Sequence, residues 1–84
     1  AGLEADRVVW TCGQIPAANE ECTVKIRYRT RAVPCRILRA DSDGFSLRFA
    51  EPVKAVTPGQ AAVLYDGSVV IGGGVICSIS ETDK

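Results

Sequence analysis

Apolar and polar side chains alternate along much of this 84-residue sequence. The clearest case is residues 22–29, where apolar Cys22, Val24, Ile26 and Tyr28 alternate with Thr23, Lys25, Arg27 and Arg29. Successive side chains of a β-strand point to opposite faces, so this period of two is typical of a half-buried strand. The pattern predicts a strand that turns Lys25, Arg27 and Arg29 outward in a row, about 7 Å apart.

Short β-prone runs of the same kind recur at residues 7–10, 33–37, 45–49, 61–65 and 69–79, and a further short one is expected at 54–56. Turn signals separate them: Asp43-Gly44 and Asp66-Gly67 are typical of hairpins, and Thr57-Pro58-Gly59-Gln60 of a type II turn. No segment of helical length shows a 3.6-residue period. The sequence therefore predicts an all-β domain of about six short strands, either a small closed antiparallel β-barrel or a small sandwich. Closure would also remove the exposed edges of a flat sheet.

Two features interrupt the predicted strands. Pro34 suggests that its strand lies at an edge or carries a bulge. The triplet Gly72-Gly73-Gly74 invites a phosphate-loop interpretation, but such a loop opens a helix, and Val75-Ile76-Cys77 continue as a strand. We therefore expect these glycines to mark a bulge, a barrel corner or a close approach of two backbones.

Composition limits the functions that the chain could carry. The sequence has no His, which removes Ser/His and Cys/His catalytic pairs and the usual general base near neutral pH. Its longest apolar run, residues 69–77, is broken by glycines and is too short for a membrane helix, and no secretory signal is visible. We expect one domain over residues 1–84, with flexible segments at 1–6 and 81–84. Because the chain begins at Ala1, we expect it to be a piece of a longer protein.

The four cysteines, at positions 12, 22, 35 and 77, form no Cys-x-x-Cys pair. They therefore lack the usual spacing of a zinc site or of a thioredoxin-like redox site. Cys22 and Cys35 fall in strand-like apolar patterns, where a free cysteine behaves as a small hydrophobic residue. We interpret the cysteines as reduced packing residues in preference to metal ligands or disulfides.

The formal net charge of zero hides a strong regional imbalance. Residues 22–49 hold seven basic and two acidic residues, a net +5, whereas residues 1–21 and 50–84 carry −3 and −2. A row of cations on a rigid strand suits a phosphate backbone, but a solvated strand face would look the same, and both interpretations stay open. The five aromatic residues are few for a single-strand binder, and Phe45 and Phe49 are expected in the core.

Several of these stretches together resemble one family. They are residues 24–29 (VKIRYR), Val33-Pro34-Cys35, residues 55–67 (AVTPGQAAVLYDG) and residues 72–76 (GGGVI). This combination resembles the C-terminal domain of the tRNA-specific 2-thiouridylases over roughly residues 22–77. Trp10-Thr11-Cys12-Gly13 is more loosely similar to the Trp-x-Ser-Gly entry of that domain. Departures are mild: Leu64 stands where Phe is common, and Cys12 where Ser is common.

The resemblance implies a fold and a role for the longer enzyme. The family domain is a six-stranded antiparallel barrel like the second domain of translation elongation factors. The full enzyme is an ATP-dependent sulfurtransferase, a cytoplasmic transferase that thiolates the wobble uridine of certain tRNAs. Its ATP site and catalytic cysteines lie in a catalytic domain that this chain lacks, so the resemblance implies no cofactor, no metal and no catalytic residue here. The implied partners are the tRNA anticodon region, the missing catalytic and central domains and a sulfur-relay donor protein, with no membrane.

The family motif also implies a tRNA-contact site. It maps onto Arg27, Tyr28 and Gln60, and the outward row adds Lys25 and Arg29. We expect Arg27 to contact phosphate, Gln60 to hydrogen-bond RNA and Tyr28 to stack or donate its hydroxyl. A shared site requires the 57–60 turn to lie at the barrel rim where the strand of residues 22–28 ends. The alternative is a structural barrel that packs on and positions its partner domains without touching RNA.

Overall fold

The computed structural model describes residues 2–11, 13–26, 32–51 and 56–80. Six strands account for most of them: β1 (Gly2–Val9), β2 (Glu21–Lys25), β3 (Val33–Ala40), β4 (Gly44–Phe49), β5 (Ala61–Asp66) and β6 (Val69–Ser80). Within the described ranges, no helix is long and apolar enough to cross a membrane.

The six strands close into a barrel in the order β1-β4-β3-β2-β5-β6. Every neighbouring pair is antiparallel, and β6 returns to pair with β1. At the seam between β1 and β6, Gly2 lies opposite Ser80. The prediction of an all-β, closed antiparallel barrel of about six strands is therefore confirmed, and the sandwich alternative is wrong.

Alternate residues of the strands fill the interior of the barrel. Its largest fully buried side chains are Phe45, Ile37, Leu47, Leu64, Ile76 and Val24. Phe45 and Phe49 both belong to this core, as the sequence predicted. Among the described residues no polar or charged side chain is buried, so the interior is held by apolar packing alone.

Strand β1 starts five residues earlier than the sequence predicted. Gly2–Val9 pair with both β4 and β6, so the segment expected to be flexible over residues 1–6 is a paired strand from Gly2 onward. Leu3 and Ala5 point into the core at 2% exposure each. Glu4 between them and Asp6 after Ala5 are exposed, and the short apolar side chains give too weak an alternation to reveal the strand. The segment 81–84 lies outside the described residues.

The predicted turns are present. The Gln60 N–H donates to the Thr57 carbonyl at 3.4 Å with Gly59 at φ 96°, which is the type II geometry that requires glycine at the third position. Gly67 has φ 64° and starts the two-residue loop between Asp66 and Val69. The hairpin at Asp43-Gly44 is also confirmed.

The prediction that Pro34 marks an edge or a bulge is wrong. Pro34 lies in regular register opposite Thr23, and β3 has a neighbour on both sides. The irregularity in β3 falls instead between Ile37 and Arg39. The amide nitrogen and the carbonyl of a strand residue face the same neighbouring strand. The Pro34 carbonyl accepts from the Ala50 N–H at 2.9 Å, one residue past the end of β4. The N–H that proline lacks would therefore also point to this position, where the β3–β4 pairing has ended, so its absence breaks no hydrogen bond of the sheet.

The structure places the glycine triplet inside β6, which continues as a strand to Ser80. A Cβ on Gly72 would overlap the Cε3 atom of Trp10, and one on Gly74 would lie 2.7 Å from the Asp6 carbonyl oxygen. The triplet therefore permits a close approach of β1 and the Trp10 ring to β6, which confirms the structural interpretation over a phosphate loop. Of the short strand expected at 54–56, residues 54 and 55 lie outside the described residues, and Val56 is not in a strand.

Candidate nucleic-acid interface

Antiparallel pairing divides the ends of the barrel into two rims. β2, β4 and β6 end at the rim where β1, β3 and β5 begin, and we call it the Gln60 rim because the 57–60 turn lies there. The other end is the Asp41 rim, after the turn between β3 and β4. Lys25, the last residue of β2, lies opposite Val63, three residues after Gln60. Lys25 and Gln60 therefore share a rim, as a common site requires.

Lys25 has the orientation that the alternation predicted. Its neighbours Val24 and Ile26 are buried at 0% and 8% exposure, so the Lys25 side chain points away from the core. Within the described part of the chain, no acidic group pairs with its ammonium. Lys25 is therefore a cation available to an external anion.

Gln60 has a structural role that the sequence did not predict. Its side-chain Oε1 accepts from the Thr57 N–H at 2.9 Å, so the carboxamide closes the turn that contains it. Its backbone carbonyl accepts from the Ile76 N–H at 2.8 Å, and the Gly59 N–H donates to the Ile76 carbonyl at 2.8 Å, which ties the turn to β6. With Oε1 accepting inside the turn, the Nε2 group is the hydrogen-bond donor that Gln60 can offer to RNA.

The remaining predicted site residues, Arg27, Tyr28 and Arg29, lie outside the described residues. They follow Lys25 in the chain segment that joins the end of β2 to the start of β3, and both strand ends lie at the Gln60 rim. Their roles stay predictions.

The Asp41 rim carries the opposite charge. Three aspartates, Asp41, Asp43 and Asp66, lie in its two hairpin turns. Arg39 is the basic residue beside them, and its guanidinium donates to Asp41 at 2.6 Å. Two backbone N–H groups, from Asp43 and Gly44, hold the pKa of the Asp41 carboxyl below its ordinary value. Thus three aspartates lie at one rim, whereas the unpaired Lys25 lies at the other, where Glu51 follows the end of β4.

The described ranges provide no group of three or more Cys, Asp or Glu residues that could hold a metal ion. A cross-strand cysteine pair, Cys22 and Cys35, has its sulfur atoms 3.5 Å apart. The sequence predicted apolar packing for both residues, and both contact the core. Their direct pairing was not predicted, because it depends on the register of β2 against β3.

Comparison with known proteins gives consistent matches. Residues 1–76 match the family described as the aminomethyltransferase beta-barrel domain. The chain is 51% identical over 74 residues to the tRNA-specific 2-thiouridylase MnmA of Cupriavidus metallidurans, which is 88% of this chain and 21% of that protein. It is 50% identical over 78 residues to the enzyme of the same name from Acidovorax ebreus, which is 93% of this chain and 21% of the relative.

A more distant relative gives the same picture. The tRNA-specific 2-thiouridylase MnmA of Shewanella frigidimarina is 47% identical over 75 residues, covering 89% of this chain and 20% of that protein. The chain therefore spans about a fifth of the length of the curated relatives that it matches. The matched part is their C-terminal part, as the sequence resemblance indicated.

Proposed function

Because this chain belongs to the aminomethyltransferase beta-barrel domain family and matches the C-terminal part of tRNA-specific 2-thiouridylases, we propose that it is the tRNA-contacting domain of such an enzyme. The longer enzyme would be an ATP-dependent sulfurtransferase that thiolates the wobble uridine. Its ATP, its catalytic cysteines and its sulfur-donor protein would act on the catalytic domain. The barrel itself would hold the anticodon region of the tRNA and be inactive alone.

The observation that carries this proposal is the position of Lys25 and Gln60. The two residues lie at one rim of a rigid barrel, and Lys25 has no ion-pair partner among the described residues. The aspartates of the two hairpin turns lie at the opposite rim, away from RNA that approaches the Gln60 rim, where Glu51 follows the end of β4. Arg27 and Arg29 follow Lys25 in the sequence and would extend the contact along the phosphate backbone.

Titration of the isotope-labelled chain with an anticodon stem-loop at low salt tests the proposal. We expect amide shifts concentrated around Lys25, Arg27 and Gln60, and their loss when salt is added. Lys25→Gln and Arg27→Gln should each weaken binding and lower the slope of log K against log salt by about 1. Arg39→Gln is the matched control, because it removes one cation from the Asp41 rim and should leave the slope unchanged.

Gln60 needs a separate design because its side chain also closes a turn. Gln60→Glu keeps an oxygen acceptor for the Thr57 N–H but loses the Nε2 donor, so we expect weaker RNA binding with the fold retained. Gln14→Glu adds the same charge at an exposed position outside the Gln60 rim and controls for simple repulsion. Equal effects of the two variants on affinity would argue against a direct role of Gln60.

Exposed apolar side chains near the Asp41 rim favour a second role. Val9, Val69 and Ile15 are 66%, 56% and 44% exposed. Ile15 and Val69 line the same opening at the barrel surface, and a contiguous exposed apolar patch is typical of a surface that packs against another domain. A barrel that only positions its partner domains would give no amide shifts at high concentrations of the stem-loop, and that result would favour this alternative over RNA contact.

A further inference from the structure

Cys22 and Cys35 are direct cross-strand partners on β2 and β3. Their sulfur atoms lie 3.5 Å apart and share a hydrogen bond, and both thiols are free. Neither the proposed RNA contact nor the chemistry of the longer enzyme uses this pair.

The strand geometry permits a bond between the two sulfur atoms. Directly opposite residues of an antiparallel pair have Cα atoms about 4.5–5.5 Å apart, within the range of about 4.4–6.8 Å that disulfides span. A disulfide bond is about 2.0 Å long, so the sulfur atoms must approach by about 1.5 Å. Rotation of the two side chains can supply much of this distance without breaking the ladder between β2 and β3.

The two thiols differ in access. Cys35 is 3% exposed and belongs to the core, whereas Cys22 is half-buried. Both border a groove whose walls include Arg36 and Arg48, and Cys22, but not Cys35, also lines an opening of about 290 Å³ at the barrel surface. The hydrogen bond from Cys35 lowers the pKa of the Cys22 thiol, and the same hydrogen bond together with burial raises the pKa of Cys35. A reagent that enters the opening therefore meets Cys22 first, and Cys22 is the better nucleophile.

The walls of the opening favour particular reagents. Glu20, Glu21 and Asp66 line it together with apolar Ile15 and Val69. The Glu21 carboxylate pairs with Arg36 at 2.8 Å, so Glu20 and Asp66 supply the net negative charge that repels anions and attracts cations. A neutral or cationic small disulfide is therefore a better partner than an anionic one.

We propose that Cys22 and Cys35 form a redox-active dithiol that exchanges with small neutral or cationic disulfides. The Cys22 thiolate attacks one sulfur of the small disulfide, forming a mixed disulfide and releasing one thiolate. Cys35, losing its proton to the released thiolate, then attacks the Cys22 sulfur and expels the second thiolate. The protein dithiol is oxidised to one internal disulfide, and the small disulfide is reduced to two thiols. The bond would join β2 to β3 across the segment that contains Arg27, Tyr28 and Arg29.

The test is incubation of the reduced, native chain with cystamine, a cationic disulfide, followed by acid quenching and alkylation. Cleavage after Lys, Arg and Glu separates Cys22 (residues 22–25) from Cys12 and from Cys35 (residues 32–36), so mass spectrometry identifies the linkage. We expect the linked pair of peptides to become the main product. Oxidised glutathione, which is anionic, should react several-fold more slowly.

Single variants separate the two steps. Cys35→Ala should stop at a stable mixed disulfide on Cys22, and Cys22→Ala should leave Cys35 unmodified until the chain is denatured. Cys77→Ala is the matched control, because it removes an exposed thiol distant in the barrel and should form the link normally. The proposal fails if Cys22 and Cys35 both remain open to alkylation, if Cys22 bonds to Cys12 or to another chain, or if the link forms only in denaturant.

Discussion

Asp41 uses its backbone and its side chain together to hold the turn between β3 and β4. Its Oδ1 accepts from the N–H groups of Asp43 at 2.8 Å and Gly44 at 2.9 Å, and its own N–H donates to the Gly44 carbonyl. The Asp41 carbonyl accepts from the Trp10 indole Nε1 at 2.9 Å. A single residue thus connects the β3–β4 turn to the chain that follows β1.

We expect Asp41→Ala to destabilise the barrel, with an effect that depends on pH. The folded state holds the pKa of this carboxyl below its ordinary value of 3.8, so its contribution to stability is present above that value. The contribution is lost as the pH falls through the lower pKa of the folded state. The free energies of unfolding of the wild type and of Asp41→Ala, measured by denaturation, should therefore differ at pH 7 and converge at strongly acidic pH.

Asp43→Ala serves as the control for this prediction. It removes a carboxylate from the same turn but keeps the backbone N–H that donates to Asp41. A difference between wild type and Asp41→Ala that persists unchanged into strong acid would show that the carboxylate charge is not the stabilising feature.

Strand β6 depends on the absence of a side chain at Gly72. A Cβ there would overlap the Trp10 ring and lie 3.0 Å from the Val9 carbonyl oxygen, so either the ring or the strand would have to move. We expect Gly72→Ala to reduce the free energy of unfolding by about 1–3 kcal/mol, the usual cost of overpacking. Urea denaturation of the wild type and of Gly72→Ala measures this loss of free energy of unfolding.

Gly73→Ala is the matched comparison, because its Cβ would come no closer than 3.1 Å to the Ala62 carbonyl oxygen. It should cost less than Gly72→Ala. Trp10→Leu combined with Gly72→Ala should cost less than the sum of the single changes, since the smaller side chain relieves the overlap. If the cost of the double variant equals the sum of the two single costs, the steric overlap of the new Cβ is with the Val9 backbone and not with the Trp10 ring.

Strands in which large apolar and polar side chains alternate could be predicted from sequence. A strand whose inward side chains are small could not. The apolar positions of β2 and β4, including Val24 and Phe45, showed which face is buried. β1 was located too late because Gly2 and Ala5 carry little apolar surface. Gly44 looked like a turn residue, yet its φ is ordinary, and a Cβ there would overlap the Ala5 carbonyl oxygen. The need for glycine at position 44 therefore comes from the neighbouring strand β1 and not from the turn.

The candidate site was predictable only in part, for a related reason. The outward orientation of Lys25 followed from local alternation, and its place on the Gln60 rim required the pairing of β2 with β5. The closure of the turn by the Gln60 carboxamide depends on side-chain torsions, and the Cys22–Cys35 contact depends on register. Neither property is local in the sequence.

At the scale of the whole molecule, the first strand closes the barrel around one apolar core. Leu3, 2% exposed, belongs to the same apolar cluster as Phe45 and Leu64. We expect Leu3→Ala to cost about 2–5 kcal/mol, as for other buried leucines. In the wild type and in Leu3→Ala, circular dichroism and the fluorescence of Trp10, the single tryptophan, should report the same unfolding transition.

Glu4→Ala, at an exposed position of the same strand, is the control and should be nearly neutral. If the fluorescence transition of Leu3→Ala occurred at a different denaturant concentration from the circular dichroism transition, β1 would be a separately unfolding element.

Gly2 and Ser80 lie opposite each other at the β1–β6 seam, so the start of β1 and the end of β6 are close together in space. A short linker could join these two positions, and new termini could be opened in the exposed loop at Gly67. Such a circularly permuted chain would keep all six strand pairings. Survival of the barrel in that chain would show that the cyclic arrangement of strands, and not their linear order, determines this fold.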